Sequence, residues 1–294
     1  MKSIRFFIAL AFALLLSSAS WAQSYQFVKV VDPGDPGDPF TQLLGINNSW
    51  TIAGYHNFFQ NQGFVMTLPN SFSPENYPNS MMTQVIGINN NGATSGFYVD
   101  QNGNTHGFYH TSNGTYTTVD FPGTIFNQLL SQNDHQQAAG YYSNSQNNST
   151  PDFPYIYDEV GGIFEVITIP GAVGGAQATG INNSGEVCGF FIDGNGVNHG
   201  WLLNAGIFLQ LDVPSSSFTQ ALGLNNQGQV VGAWMDQGGL THGFVYTVSN
   251  GQYNTVDDPQ GVGTTIVNGI NDSGALVGFY GTAPINSGFV ATPQ

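Results

Sequence analysis

A short phrase that opens Gly-Ile-Asn and closes on a second glycine recurs along almost the whole chain. Copies run from Gly45-Ile46-Asn47 to Gly54, Gly87-Ile88-Asn89 to Gly96, Gly180-Ile181-Asn182 to Gly189, Gly223-Leu224-Asn225 to Gly232 and Gly269-Ile270-Asn271 to Gly278. A worn copy runs from Ser131 through Asn133 to Gly140. Successive starts lie 42, 44, 49, 43 and 46 residues apart. A period in the forties, rich in glycine and aromatic residues, is what four short strands and their turns require. That is the repeat of a propeller blade.

The cleanest unit runs from Thr219 to Pro259. Thr219 to Asn225 reads as a first strand, and Asn226-Gln227-Gly228 as a tight turn, because Asn and Gly accept left-handed backbone. Gln229 to Met235 is a second strand, Asp236 to Gly239 a turn, Thr241 to Tyr246 a third strand and Ser249 to Gly251 a turn. Gln252 to Asp257 is a fourth strand, stopped by Pro259, which has no N–H to give to a ladder. The stop recurs at Pro36, Pro78, Pro122, Pro170 and Pro214, each nine or ten residues before the next start. The glycines inside the second strands are expected to mark close backbone approach near the axis.

The two ends complement each other. The last repeat offers three strands, ending with Ser287 to Val290, and no fourth. Tyr25 to Asp32, followed by Pro33, reads as a fourth strand with no blade before it. The expected fold is therefore all-β: a six-bladed β-propeller of four-stranded antiparallel blades, closed by the N-terminal strand completing the last blade. Closure also removes sheet edges that would template aggregation.

Lys2 and Arg5, the apolar run Phe6 to Leu16 and the small residues Ser20 and Ala22 predict a signal peptide over residues 1–22. Residues 23–294 then form a single propeller domain, exported to the extracellular space or periplasm, with no membrane insertion. All 18 acidic residues but only one basic residue, Lys29, lie in this part, so its formal charge is −17 against −15 for the whole chain. Such a surface repels phosphate backbones and argues against nucleic acid as a partner. Cys188 is the only cysteine and excludes an intramolecular disulfide. A buried structural thiol is expected there.

The pattern Gly-Ile-Asn-Asn-x-Gly, then an aromatic strand, an Asp turn and His-x-aromatic resembles the bacterial extracellular repeat family called HAF, named for a His-Ala-Phe tripeptide. Here the tripeptide reads His106-Gly107-Phe108, His199-Gly200-Trp201 and His242-Gly243-Phe244. Other copies read Gln62-Gly63-Phe64, Pro154-Tyr155-Ile156 and Ser287-Gly288-Phe289. The resemblance covers nearly all of residues 41–292. It implies an exported repeat protein and supplies no catalytic residues.

Loops on a rigid scaffold carry function. Asp100, Asp193 and Asp236 sit in two-to-three turns, and Asp32, Asp120, Asp212 and Asp257 at fourth-strand stops. Topology places both sets on one face, beside His106, His199 and His242. An acidic, histidine-bearing, aromatic-rimmed face around the channel mouth is expected. Asp100 with Asn102, and Asp193 with Asn195, space oxygen ligands as calcium loops do; the same residues also suit turns in which Asp bonds its own backbone. No cofactor other than calcium is suggested. Nucleophile-elbow, zinc-protease and phosphate-loop motifs are missing. The sequence thus points to a monomeric, non-enzymatic module that binds extracellular polysaccharide or a surface protein. The alternative is a polysaccharide hydrolase or lyase using acidic residues of that face.

Overall fold

The computed structural model describes residues 24–32, 40–57, 60–69, 71–145, 151–281 and 285–294. The expected signal peptide, Pro33 and Pro36 lie outside these residues. The chain forms β1 (Tyr25–Val30), then β2 (Thr41–Ile46), β3 (Thr51–Asn57), β4 (Asn61–Thr67) and β5 (Ser71–Pro74). Next come β6 (Met82–Ile88), β7 (Thr94–Val99), β8 (Thr105–His110) and β9 (Tyr116–Val119), then β10 (Phe126–Gln132), β11 (Gln137–Ser143), β12 (Asp152–Asp158) and β13 (Ile163–Val166). They are followed by β14 (Ala176–Ile181), β15 (Val187–Ile192), β16 (Asn198–Asn204), β17 (Ile207–Leu211), β18 (Phe218–Leu224), β19 (Gln229–Met235), β20 (Thr241–Thr247) and β21 (Gln252–Val256). The last are β22 (Ile266–Ile270), β23 (Leu276–Tyr280) and β24 (Ser287–Pro293). No helix occurs among the described residues.

The strands make an all-β propeller. The sequence leads one to expect six separate four-stranded sheets, and four are of that kind: β2 to β5, β14 to β17, β18 to β21, and β22 to β24 with β1. The other eight strands form one sheet. It consists of two antiparallel meanders, β6 to β9 and β10 to β13, joined by a single parallel pair, Phe126 opposite Thr105. The cause is local: an inner strand starts beside the third strand of the preceding meander. The same approach appears as isolated parallel bridges between Phe40 and Asn286 and between Thr241 and Thr264.

β1 lies antiparallel to β24, from Tyr25 opposite Pro293 to Val30 opposite Gly288. Val30 is buried with Leu43, Phe64, Val277 and Val290, so the first strand shares a core with both the last sheet and the next one. Each other pair of neighbouring meanders encloses its own apolar cluster, for example Leu202, Leu211, Ala221 and Phe244.

Two glycine sets carry this packing. Every inner strand shifts register against its partner just before the repeat's opening residue, between Leu43 and Gly45, Val85 and Gly87, and so on. A β-bulge turns that residue toward the next inner strand. A Cβ on Gly45 would lie 2.6 Å from the Ile86 carbonyl, and one on Gly223 2.5 Å from that of Asn268. These first-strand glycines, rather than the second-strand set, face the neighbouring inner strand. The second-strand glycines instead make room within their own sheet. A Cβ on Gly232 would lie 1.9 Å from the Gln220 carbonyl and 2.8 Å from the Phe244 ring. That ring, with Phe64, Phe108, Tyr155, Trp201 and Phe289, is at most 1% exposed.

The middle glycine of His-Gly-Phe has a separate cause. A methyl on Gly243 would lie 2.5 Å from the Val267 side chain of the next sheet and 2.7 Å from the Val256 carbonyl. Gly243→Ala is expected to destabilise the fold by about 1–3 kcal/mol through overpacking. A denaturant midpoint equal to that of the unsubstituted chain would contradict this packing account.

Candidate functional site

The sequence-selected acidic residues and histidines assemble in threes, each within one meander. His106 Nδ1 lies 2.7 Å from Asp120, and its Nε2 3.5 Å from Asp100. His199 lies 3.0 Å from Asp212 and 3.6 Å from Asp193; His242 lies 2.8 Å from Asp257 and 3.7 Å from Asp236. Each imidazole stacks on the aromatic residue opposite it: Tyr98, Phe191 or Trp234, at 4.7–5.1 Å. The histidine thus ties the two-to-three turn to the end of the fourth strand.

The turn carboxylates are occupied by their own loops. Asp100 Oδ1 accepts the Asn102 and Asn104 amides at 2.8 Å, and Oδ2 accepts both side-chain amides. Asp193 takes the Asn195 and Val197 amides, and Asp236 those of Gly238 and Leu240. Backbone N–H donors, first those of Asn104, Val197 and Leu240, hold these carboxyls below the usual range. At the proposed calcium positions, Asn102 and Asn195 therefore turn their amides toward the neighbouring carboxylate. Among the described residues, no three His, Cys, Asp or Glu side chains are grouped to hold a metal ion.

Asp32 departs from its expected set. It falls one position after the stop residues, and pairs at 2.7 Å with His56 of β3. At the same place between other meanders, Tyr77 stacks on Tyr98 and Phe121 on Tyr142.

The central channel is built from residues the sequence reading passed over. Its cavity holds about 440 Å³. Gln42, Gln84 and Gln177 stand opposite Tyr55, Phe97 and Phe190 in their ladders. Opposite residues in an antiparallel pair share a sheet face, and all six line the cavity. Gln128 also lines it and accepts the Tyr141 hydroxyl at 2.9 Å. Gln42 and Gln84 have no internal side-chain partner among the described residues. Leu44, Ile86, Leu130 and Leu222 form the wall below. None of the lining residues is charged, and none of the ten Asp and His candidates is among them. The expected acidic rim is thus displaced outward, into the individual meanders.

The far end narrows to about 70 Å³ behind two closed rings. Asn47 Nδ2 donates to the Asn89 carbonyl, Asn89 to Asn133, Asn133 to Asn182, Asn182 to Asn225, Asn225 to Asn271 and Asn271 back to Asn47, at 3.0–3.2 Å. One residue on, the backbone N–H of Asn48 donates to the Asn90 side chain. The series continues through Asp134, Asn183, Asn226 and Asp272 back to Asn48. Asp134 and Asp272 each also accept two asparagine side-chain amides. Burial opposes the Asp134 charge, but the Asn90 and Asn183 amides outweigh it and lower that carboxyl. The signal for the rings was present, as an asparagine at the same position of every repeat. Read alone, each also suits a turn, and each does accept its own turn's amides, as Asn47 does from Ser49 and Thr51.

Gln132, beside these rings, donates to Glu159 at 2.6 Å. Burial pushes Glu159 up to about 7, against the lowering effect of that hydrogen bond. The folded state therefore holds this proton more tightly than the unfolded chain does. The stabilisation is full below the ordinary value of 4.5 and is lost as pH rises through about 7. The thermal midpoint is expected to decline between about pH 5 and pH 8, and Glu159→Gln to lessen that decline. Parallel pH curves for the two proteins would refute the assignment.

No protein-family model and no curated protein matches the sequence. Solved structures match in fold. AofleA from Arthrobotrys oligospora aligns with a TM-score of 0.55 at 12% identity over 93% of this chain and 88% of that one. TolB from Acinetobacter baumannii gives 0.54 at 12% identity, over 89% of this chain and 66% of that one. The Aleuria aurantia lectin, described as a six-bladed β-propeller with a novel mode of fucose recognition, gives 0.51 at 8% identity over 90% of each chain. At these identities the likeness is one of fold: the chain is similar to propellers that include a lectin.

Proposed function

We propose that the chain is an exported, non-enzymatic module of the HAF type that binds a neutral saccharide in the wide mouth of its channel. In this reading the ring comprises six blades, the eight-stranded sheet counting as two. The six-membered asparagine ring supports that count.

One observation carries the functional reading: three glutamine–aromatic pairs line a cavity with no charged wall. Amides supply both donors and acceptors for sugar hydroxyls, and ring faces suit the apolar side of a pyranose. Bidentate capture of acidic sugars needs arginine, and the only arginine is Arg5 of the expected signal peptide. A hydrolase would need two carboxylates across the bound sugar, and the lining holds none. A mutant of the similar Aleuria aurantia lectin has been seen with α-methyl-L-fucoside. That makes deoxyhexoses a sensible first class of probe.

The test is a panel of neutral and acidic polysaccharides incubated with residues 23–294 and read for bound protein and released fragments. Binding to neutral members without fragments is expected. Gln42→Ala combined with Gln84→Ala should weaken it by about tenfold or more. Released fragments, or binding confined to acidic members, would overturn the proposal.

A further inference from the structure

The cluster of Asp, His and Asp is replaced in the β2 to β5 sheet. Gln62 stands where His106 stands, each opposite the strand-two residue two places after the glycine: His56 in one case, Tyr98 in the other. Asn76 stands where Asp120 stands. Its Oδ1 turns inward to accept the Gly63 amide at 3.0 Å. A crevice of about 330 Å³ lies beside this replacement. Gln60, Asn61, Gln62 and Asn76 supply amides to its wall, and Tyr77 and Met81 supply apolar surface.

The crevice is held in shape. Asn79 takes a left-handed φ of 60°, Ser80 donates to the Tyr77 carbonyl, and Gln101 donates to the Asn79 carbonyl at 3.0 Å. Tyr77 is stacked on Tyr98 at 3.7 Å and bonded to Thr118. Gln60 and Gln62 are exposed, and Met81 is 44% exposed. The volume lies at the lower end of the usual range for small-ligand sites. Its wall offers uncharged hydrogen-bonding groups beside a thioether and a fixed ring. This chemistry repeats that of the channel mouth, and topology places both on the same face of the propeller.

We infer that this crevice, bounded by Gln60 and the start of β4 on one side and by the connection from β5 to β6 on the other, is a second site for a neutral saccharide. The inference rests on the reading of the protein as a neutral-saccharide binder, and it makes the chain bivalent. Two sites on one rigid face raise avidity for a polysaccharide without any new contact.

The experiment is calorimetric titration of residues 23–294 with the methyl glycosides of glucose, galactose, fucose and N-acetylglucosamine. Four proteins are compared: the unsubstituted chain, Gln62→His with Asn76→Asp, Met81→Trp alone, and Gln42→Ala with Gln84→Ala. The first variant restores the imidazole–carboxylate pair. Met81→Trp fills the crevice from an exposed position, so a folding defect in the first variant leaves the test intact. The unsubstituted chain is expected to show two sites. Filling the crevice should weaken one of them by about tenfold or more and leave the other within about twofold. Two unchanged sites in Met81→Trp would overturn the inference. A single site lost in Gln42→Ala/Gln84→Ala would also overturn it while leaving the channel reading in place. A single site lost only in Met81→Trp would support the crevice and overturn the channel reading. No binding of any glycoside would overturn both.

Discussion

A chain that begins at Thr41 is expected to lose its cooperative unfolding transition. Removing β1 exposes the edge of β24 along the whole register from Gly288 to Pro293. It also takes Val30 out of the cluster with Leu43, Phe64 and Val290, and Phe27 from its contact with the Phe289 ring at 5.4 Å. The ring loses the strand that completes its last sheet. The loss is comparable with the whole stability of an ordinary domain, about 5–15 kcal/mol. A peptide covering residues 24–32, added in excess, should restore part of the transition by adding a strand to the open edge. A truncated chain that unfolds as sharply, and at the same denaturant concentration, as residues 23–294 would show that closure contributes little.

Asn182→Asp is expected to be the most damaging single substitution in the rings. The Asn182 side chain is 4% exposed. Its amide donates to the Asn225 carbonyl at 3.1 Å and to Glu186 at 2.6 Å, while its oxygen accepts the Ser184 and Glu186 amides. A carboxylate keeps the accepting half. It then sets a buried negative charge against the Asn225 carbonyl and the Glu186 carboxylate. An unsatisfied buried group costs about 1–3 kcal/mol and a charged one more, so a loss above about 3 kcal/mol is expected. Asn182→Ala should cost less, about 1–3 kcal/mol, because it removes the donor without adding charge. Equal midpoints for the two variants would argue that the ring bond is not what holds this residue.

Much of the architecture could be read directly from the residues, because its rules are local. Gly228 and Gly251 do take positive φ in the turns where they were expected. The strands Gln229–Met235 and Gln252–Val256 fall within a residue of the sequence reading. Tyr25–Val30 could be matched with the last repeat because counting strands in fours leaves one missing there and one spare at the start. Lateral facts were harder. Nothing in Asp100, His106 and Asp120 taken singly says whether three repeats gather around an axis or close within their own meanders. That depends on the third strand standing outward of the channel. The channel glutamines three positions before each opening residue look like ordinary strand residues until the bulge turns that register inward. The merging of two meanders through Phe126 and Thr105 rests on a single pair that no periodicity encodes.

The most direct test of the functional account is to follow the side-chain amide resonances of Gln42, Gln84, Gln128 and Gln177 while titrating the methyl glycosides of glucose, galactose, fucose and N-acetylglucosamine. The account predicts saturable shifts in Gln42 and Gln84, whose amides have no internal partner among the described residues, and smaller shifts in Gln128, already bonded to Tyr141. Binding that leaves all four resonances unmoved, or no binding of any of these sugars, would contradict it.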